Sequence, residues 1–73
     1  MNIEELIAQL KAYPPQMRVI VQGYEGGYND IVSLMDKHIA LDVHPEDYYG
    51  AHDDAEAGKG ISALLLYGTN TNA

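Results

Sequence analysis

Two stretches of this chain concentrate residue types that hold ligands. The first is Gly23-Tyr24-Glu25-Gly26-Gly27-Tyr28-Asn29-Asp30, with three of the seven glycines and two of the six tyrosines. Glycine lets a ligand come close to the backbone, whose N–H groups then act as donors, and tyrosine adds a flat wall with a hydrogen-bonding tip. The spacing matches neither the dinucleotide fingerprint nor the phosphate loop, which also needs a lysine and a following helix. A plain hairpin corner explains the glycines more economically. The second stretch, His44-Pro45-Glu46-Asp47-Tyr48-Tyr49-Gly50-Ala51-His52-Asp53-Asp54, mixes imidazole, carboxylate and phenol. Such nitrogen and oxygen donors suit a divalent cation, and His44, His52 and Asp53 are the ligands it would take. The spacing fits no compact metal motif, neither paired histidines one helical turn apart nor a calcium loop. A solvated acidic loop is the simpler reading. The expected ligand-binding residues are Tyr24, Glu25, Gly26, Gly27, Tyr28, Tyr48, Tyr49 and His52. No catalytic residue and no cofactor is expected: Ser33, Ser62, Thr69 and Thr71 show no nucleophile spacing.

The totals narrow the field. Seventy-three residues make a single domain, 1–73. A chain of this length buries only about 60% of its unfolded surface, so its core is marginal without a staple. It has no cysteine, which removes disulfides, thiolate metal sites and a cysteine nucleophile, and which fits a reducing cytoplasm. Eleven acids against four Lys and Arg give a formal charge of −7. That field repels phosphates and argues against direct nucleic-acid binding. It suits a cation, a basic protein surface or nucleic-acid mimicry. No apolar run approaches the roughly 20 residues of a membrane span, and no basic n-region announces a signal peptide.

Elements must position these stretches. Asn2 caps a helix expected over 3–12, with Glu5 completing a capping box and Ile3, Leu6, Ile7 and Leu10 forming one apolar face. Pro14-Pro15 stops it. Met17–Gln22 is short and β-branched, which predicts a strand. Ile31–Leu34 predicts a second or the irregular start of a longer one, Met35–Lys37 is ambiguous, and His38–His44 alternates as a strand until Pro45. Residues 45–60 contain no Leu, Ile, Val, Met or Phe, and predict a long acidic loop with a short helical turn near Asp53–Ala57. Ile61–Tyr67 is the last strand, and 69–73 a polar tail. The fold class is therefore α+β: one N-terminal helix packed on a three- to four-stranded, mainly antiparallel sheet, in the order α-β-β-β. Val19-Ile20-Val21 and Leu64-Leu65-Leu66 place apolar side chains on both faces of that sheet. One helix covers one face only, so a second copy is expected on the other and the chain is expected to be a homo-oligomer, the alternative being that the 45–60 loop folds over that face with Tyr48 and Tyr49.

The segments from Glu5-Leu6-Ile7 through Tyr13-Pro14-Pro15, Gly23-Tyr24-Glu25-Gly26-Gly27-Tyr28-Asn29-Asp30 and Tyr48-Tyr49-Gly50-Ala51-His52 resemble small accessory proteins of bacteriophages and prophages. The resemblance covers most of the chain up to residue 54. It implies a context, a bacterial host cytoplasm, and no site residues. Proteins of that kind often block a host factor or sequester a nucleotide signal used in host defence.

Three functions from different classes remain open at this point. The first is a non-catalytic binding module whose Gly- and Tyr-lined site takes a small ligand, such as a nucleotide, at an oligomer interface. Its weakness is charge, because no Lys or Arg lies between Lys37 and Lys59. The second is an acidic inhibitor of a host protein, since six of the eleven acids lie between Asp42 and Glu56. The third is a metal-dependent enzyme using His44, His52 and the loop carboxylates.

Overall fold

A computed structural model of the chain describes residues 1–72, so Ala73, the end of the expected tail, lies outside the described residues. The chain is α+β, with helix α1 (Ile3–Leu10) followed by strands β1 (Ile20–Gln22), β2 (Tyr28–Ala40), β3 (Asp53–Asp54) and β4 (Ile61–Thr69).

Helix α1 starts as its sequence dictates. The Asn2 side chain accepts from the Glu5 N–H at 2.8 Å, and Glu5 Oε1 accepts from the Asn2 N–H at 2.9 Å. This reciprocal pair satisfies two of the four orphan amides at a helix start. The helix ends at Leu10, two residues before the expected Ala12. The Ala12 and Tyr13 amides reach only three residues back, to the Gln9 and Leu10 carbonyls, as the chain tightens before Pro14.

Strand β2 is the axis of the sheet. β4 runs antiparallel along nearly its whole length, from Asp30 opposite Thr69 to Ile39 opposite Ile61. The other edge of β2 is shared. β1 pairs antiparallel with its first residues, Ile20 opposite Asp30, and β3 with its last, Ile39 opposite Asp54. Between these two short strands, residues 31–38 of that edge lie alongside no strand. Of the two expectations for 31–34, a separate strand or the irregular start of a longer one, the second holds, and the ambiguous Met35, Asp36 and Lys37 are strand residues too, set opposite Leu65, Leu64 and Ala63. The strand expected over 38–44 ends early. Asp42 sits at φ 53°, a left-handed turn that takes Leu41 and Val43 out of the sheet.

Three further corrections follow from pairing. The expected strand over 17–22 is reduced to its last three residues, because Val32 forms a bulge in β2 where Arg18 would pair. The helical turn expected near Asp53–Ala57 is β3, which reaches its place through the hairpin loop after Asp42. Gly68 and Thr69 extend β4 rather than opening the tail. Gly68 is small for a reason: a Cβ there would meet Cγ2 of Val21 and lie 2.9 Å from the Asp30 carbonyl oxygen.

Beyond the Val32 bulge, alternation sets the two faces. Ser33, Met35, Lys37 and Ile39 share one with Tyr67, Leu65, Ala63 and Ile61. Leu34, Asp36 and His38 share the other with Leu66, Leu64 and Ser62. Apolar side chains thus stand on both. None of the described residues is buried, and even the helix face formed by Ile3, Ile7 and Leu10 is about half exposed or more. The start of the helix instead faces the far end of the sheet across an open cleft of about 920 Å³, where Met1, Ile3 and Leu6 look towards Ile39, Ile61 and Leu64.

Candidate functional site

The glycine turn is a rigid corner. Gln22 and Tyr28 close the β1–β2 ladder, and the Gly23 amide donates to the Gly27 carbonyl at 2.9 Å. Glu25, Gly26 and Gly27 all adopt positive φ, at 59°, 126° and 66°. Three successive residues in that region reverse the chain sharply, and only glycine tolerates φ 126° at no cost. The corner holds its tyrosines outward. Tyr24 is 91% exposed and Tyr28 71%. Below them lies a polar hollow of about 150 Å³ between the start of β2 and Asn70–Asn72.

The second stretch is an ordered loop rather than a solvated acidic run. The Val43 and His44 amides both donate to the Ala51 carbonyl, at 2.9 and 3.1 Å, and clip the loop shut. Tyr49 N–H donates to the Glu46 carbonyl at 3.3 Å, which sets a turn at the tip. The rings then form a row: His44 stacks on Tyr49 with centroids 5.1 Å apart and an interplanar angle of 26°, and Tyr48 leans on Tyr49, also at 5.1 Å. The other face of the clip is polar. His44 Nε2 lies 2.8 Å from Asp53 Oδ2. That hydrogen bond, joined by the Asp54 amide at 2.7 Å from Asp53 Oδ1, holds the Asp53 carboxyl below its ordinary value.

His52 faces a different partner. Its Nδ1 accepts from the Asp42 amide at 3.0 Å, while an Asp42 carboxylate oxygen stands 3.9 Å away. The two contacts ask for opposite protonation of Nδ1. The shorter one decides, so Nδ1 carries no proton and the carboxylate is a neighbour rather than a partner. His44 and Asp53 therefore form one pair and His52 another. Among the described residues, no three of His, Asp and Glu converge on a common point. The ligand set His44, His52 and Asp53 is not assembled in this arrangement.

The two candidate stretches are far apart. Tyr28 opens β2 and Ala40 closes it, 13 residues in all, so the glycine turn and the Tyr48–His52 loop stand at opposite ends of the longest strand. That strand runs along most of the molecule's longest dimension of 37 Å, which keeps the two clusters apart. Within one chain, Tyr24, Glu25, Gly26, Gly27 and Tyr28 form one cluster and Tyr48, Tyr49 and His52 another. Tyr48 is 78% exposed and Tyr49 59%, so each end presents open aromatic surface.

Charge adds little at either end. Arg18 pairs with Asp30 at 3.1 Å, Lys37 with Asp54 at 3.2 Å and Lys59 with Glu56 at 3.5 Å, all on exposed surface where such pairs contribute slightly. Three of the four cations are thus engaged, and donors for an anion must come from backbone amides. The sequence reading missed the cleft below the helix, which reaches the second cluster through His52. The signal was the apolar stripe of α1, read as a face for packing. The chain matches no family model, no curated protein and no solved structure.

Proposed function

We propose that this chain is a non-catalytic binding module that works as a homo-oligomer and takes a small ligand with a planar ring, such as a nucleotide, between tyrosines of two subunits. The observation that carries this reading is the pairing of rigid corner with exposed ring at both ends of β2. Tyr24 and Tyr28 stand on a turn fixed by three positive-φ residues, and Tyr48 and Tyr49 on a loop clipped by a shared carbonyl. A fixed backbone under these residues lowers the entropy cost of binding, and exposed tyrosine rings offer stacking to a planar ligand.

Two facts support the oligomer. The accessible surface is 6601 Å², whereas a folded monomer of 8.0 kDa exposes about 4,450 Å². The radius of gyration is 14.3 Å against about 11 Å for a compact domain of this length. The excess, roughly 2,100 Å² per subunit, is of the size that obligate interfaces bury. The resemblance to phage accessory proteins supports sequestration of a host nucleotide as the purpose of such a module.

Thermal-shift screening with linear and cyclic nucleotides tests it. A nucleotide at 100 times its Kd stabilises by about 2.7 kcal/mol, an upward shift that Tyr24→Ala and Tyr49→Ala each abolish. Tyr24 is 91% exposed, so Tyr24→Ala keeps the parent's unliganded stability to within about 0.5 kcal/mol. No shift from any nucleotide sinks the reading. Capture of a basic host protein that is released as salt rises favours the acidic-inhibitor alternative, which the exposed carboxylates of Glu46, Asp47 and Asp42 support.

A further inference from the structure

β4 ends the sheet with an unprotected edge. It pairs with β2 on one side, and along its other side it pairs with no strand of the described chain. Natural edges of this length are blunted by charge, proline, a bulge or a covering element, because an open row of N–H and C=O groups templates further pairing. β4 carries no charge, proline or bulge, and the start of α1 stands off from it across the open cleft instead of pairing with it. Ile61-Ser62-Ala63-Leu64-Leu65-Leu66-Tyr67-Gly68-Thr69 has no charged residue and no proline, and the local irregularity lies in β2 at Val32. The opposite border of the sheet contrasts with it. There β1 and β3 are three and two residues long, separated by a gap, and flanked by the Arg18–Asp30 and Lys37–Asp54 ion pairs.

Charge narrows the choice of occupant. Each chain carries −7, so two copies repel almost wherever they touch. None of the fifteen Asp, Glu, Lys and Arg residues lies in Ile61–Thr69, which makes this nine-residue edge the contact where self-repulsion is least.

We infer that β4 pairs edge to edge with β4 of a second copy, antiparallel about a two-fold axis perpendicular to the sheet. The inference rests on the proposed homo-oligomer and says how its shared site is built. The joined sheet runs β2, β4, then β4 and β2 of the partner. Because β4 lies antiparallel to β2, with Thr69 beside Asp30 and Ile61 beside Ile39, the axis reverses the second copy end for end. The glycine turn of one subunit then stands at the same end of the sheet as the Tyr48–His52 loop of the other. Three strand spacings separate the two β2 strands, and both connections lie on the outer edges of those strands, so about four spacings, roughly 19 Å, separate the clusters. Clusters at opposite ends of β2 in one chain thus face each other across a gap that tyrosine side chains and a planar ligand can fill. The dimer carries two such composite sites, one at each end.

The test uses the absence of native cysteine, which gives every single-cysteine variant one thiol. Light scattering first measures the mass of the unmodified protein. Single cysteines are then placed along β4 at Ser62, Ala63, Leu64, Leu65 and Leu66, with controls at Tyr24 and Leu34, and oxidised mildly. A two-fold axis sets one β4 residue directly opposite its own copy, so one β4 position forms a disulfide much faster than its neighbours and the controls. In a second measurement, Tyr24→Cys and Tyr49→Cys chains are each spin-labelled and mixed. The mixture shows a short distance component, near 20 Å or below, that neither variant shows alone. A monomer at all concentrations overturns both the oligomer and this inference. A dimer that cross-links no faster on β4 than at the controls, or that lacks the short component, overturns the inference and leaves the oligomer standing.

Discussion

His44 does two jobs in one loop. Its ring stacks on Tyr49 while its Nε2 meets the Asp53 carboxylate. Removing it as His44→Ala releases Asp53 from its main hydrogen bond, so the Asp53 carboxyl titrates nearer its ordinary value, read by carbon NMR of that side chain. The sign for the loop follows from the same fact. A carboxyl held low in the folded state stabilises that state above the unfolded value of about 3.9, and loses the contribution as pH falls through the lower folded value. The intensity of Tyr49 ring shifts should therefore collapse in acid, and in His44→Ala should already be reduced at neutral pH. Gly27 offers a second residue-scale test. At φ 66° an added Cβ costs about 1 kcal/mol. Gly27→Ala should lower the Tm of a domain this small by about 4–8 °C. The residues at both ends were visible in the sequence because Gly, Tyr and His cluster there. The pairing of His44 with Asp53 rather than with His52 was not, since it depends on the Ala51 carbonyl that clips the loop.

At the level of elements, the capped helix was the most legible part. Asn2 and Glu5 make the capping box that their spacing announces, and Asn2→Ala should cost about 1 kcal/mol and reduce the circular dichroism signal at 222 nm. The α+β order was also readable, from Pro14-Pro15 and the β-branched runs. The length of β2 was not. Met35-Asp36-Lys37 has no strand preference of its own, and only the register with Leu65, Leu64 and Ala63 holds it extended. The reverse error came at Leu41 and Val43. They alternate as strand residues do, but the left-handed Asp42 between them breaks the ladder. β3 was hidden for a similar reason. Two consecutive aspartates are poor strand formers, and they pair with Ile39 and Ala40 because the clipped loop delivers them there.

The whole molecule is a sheet without an interior. No described residue is buried, and apolar side chains stand on both faces of the β2–β4 pair. The proposed homo-oligomer would supply the missing interior, and on that proposal the Tm should rise with protein concentration across a dilution series, as mass action requires. A concentration-independent Tm would contradict that account. Small monomeric domains of similar length keep a core of their own, and the sequence hinted at the difference only through Val19-Ile20-Val21 and Leu64-Leu65-Leu66. The two borders of the sheet then determine what kind of assembly results. A strand edge that accepts a copy on one side, with an equally open edge on the other, adds subunits without end and grows a fibre. Here the far border is broken into fragments of three and two residues with a bare interval between them, guarded by ion pairs. No incoming strand of useful length finds a continuous ladder there. In the proposed β4 pair, the division of one strand's edge between β1 and β3, modest as a detail of topology, is therefore what makes growth stop at two copies.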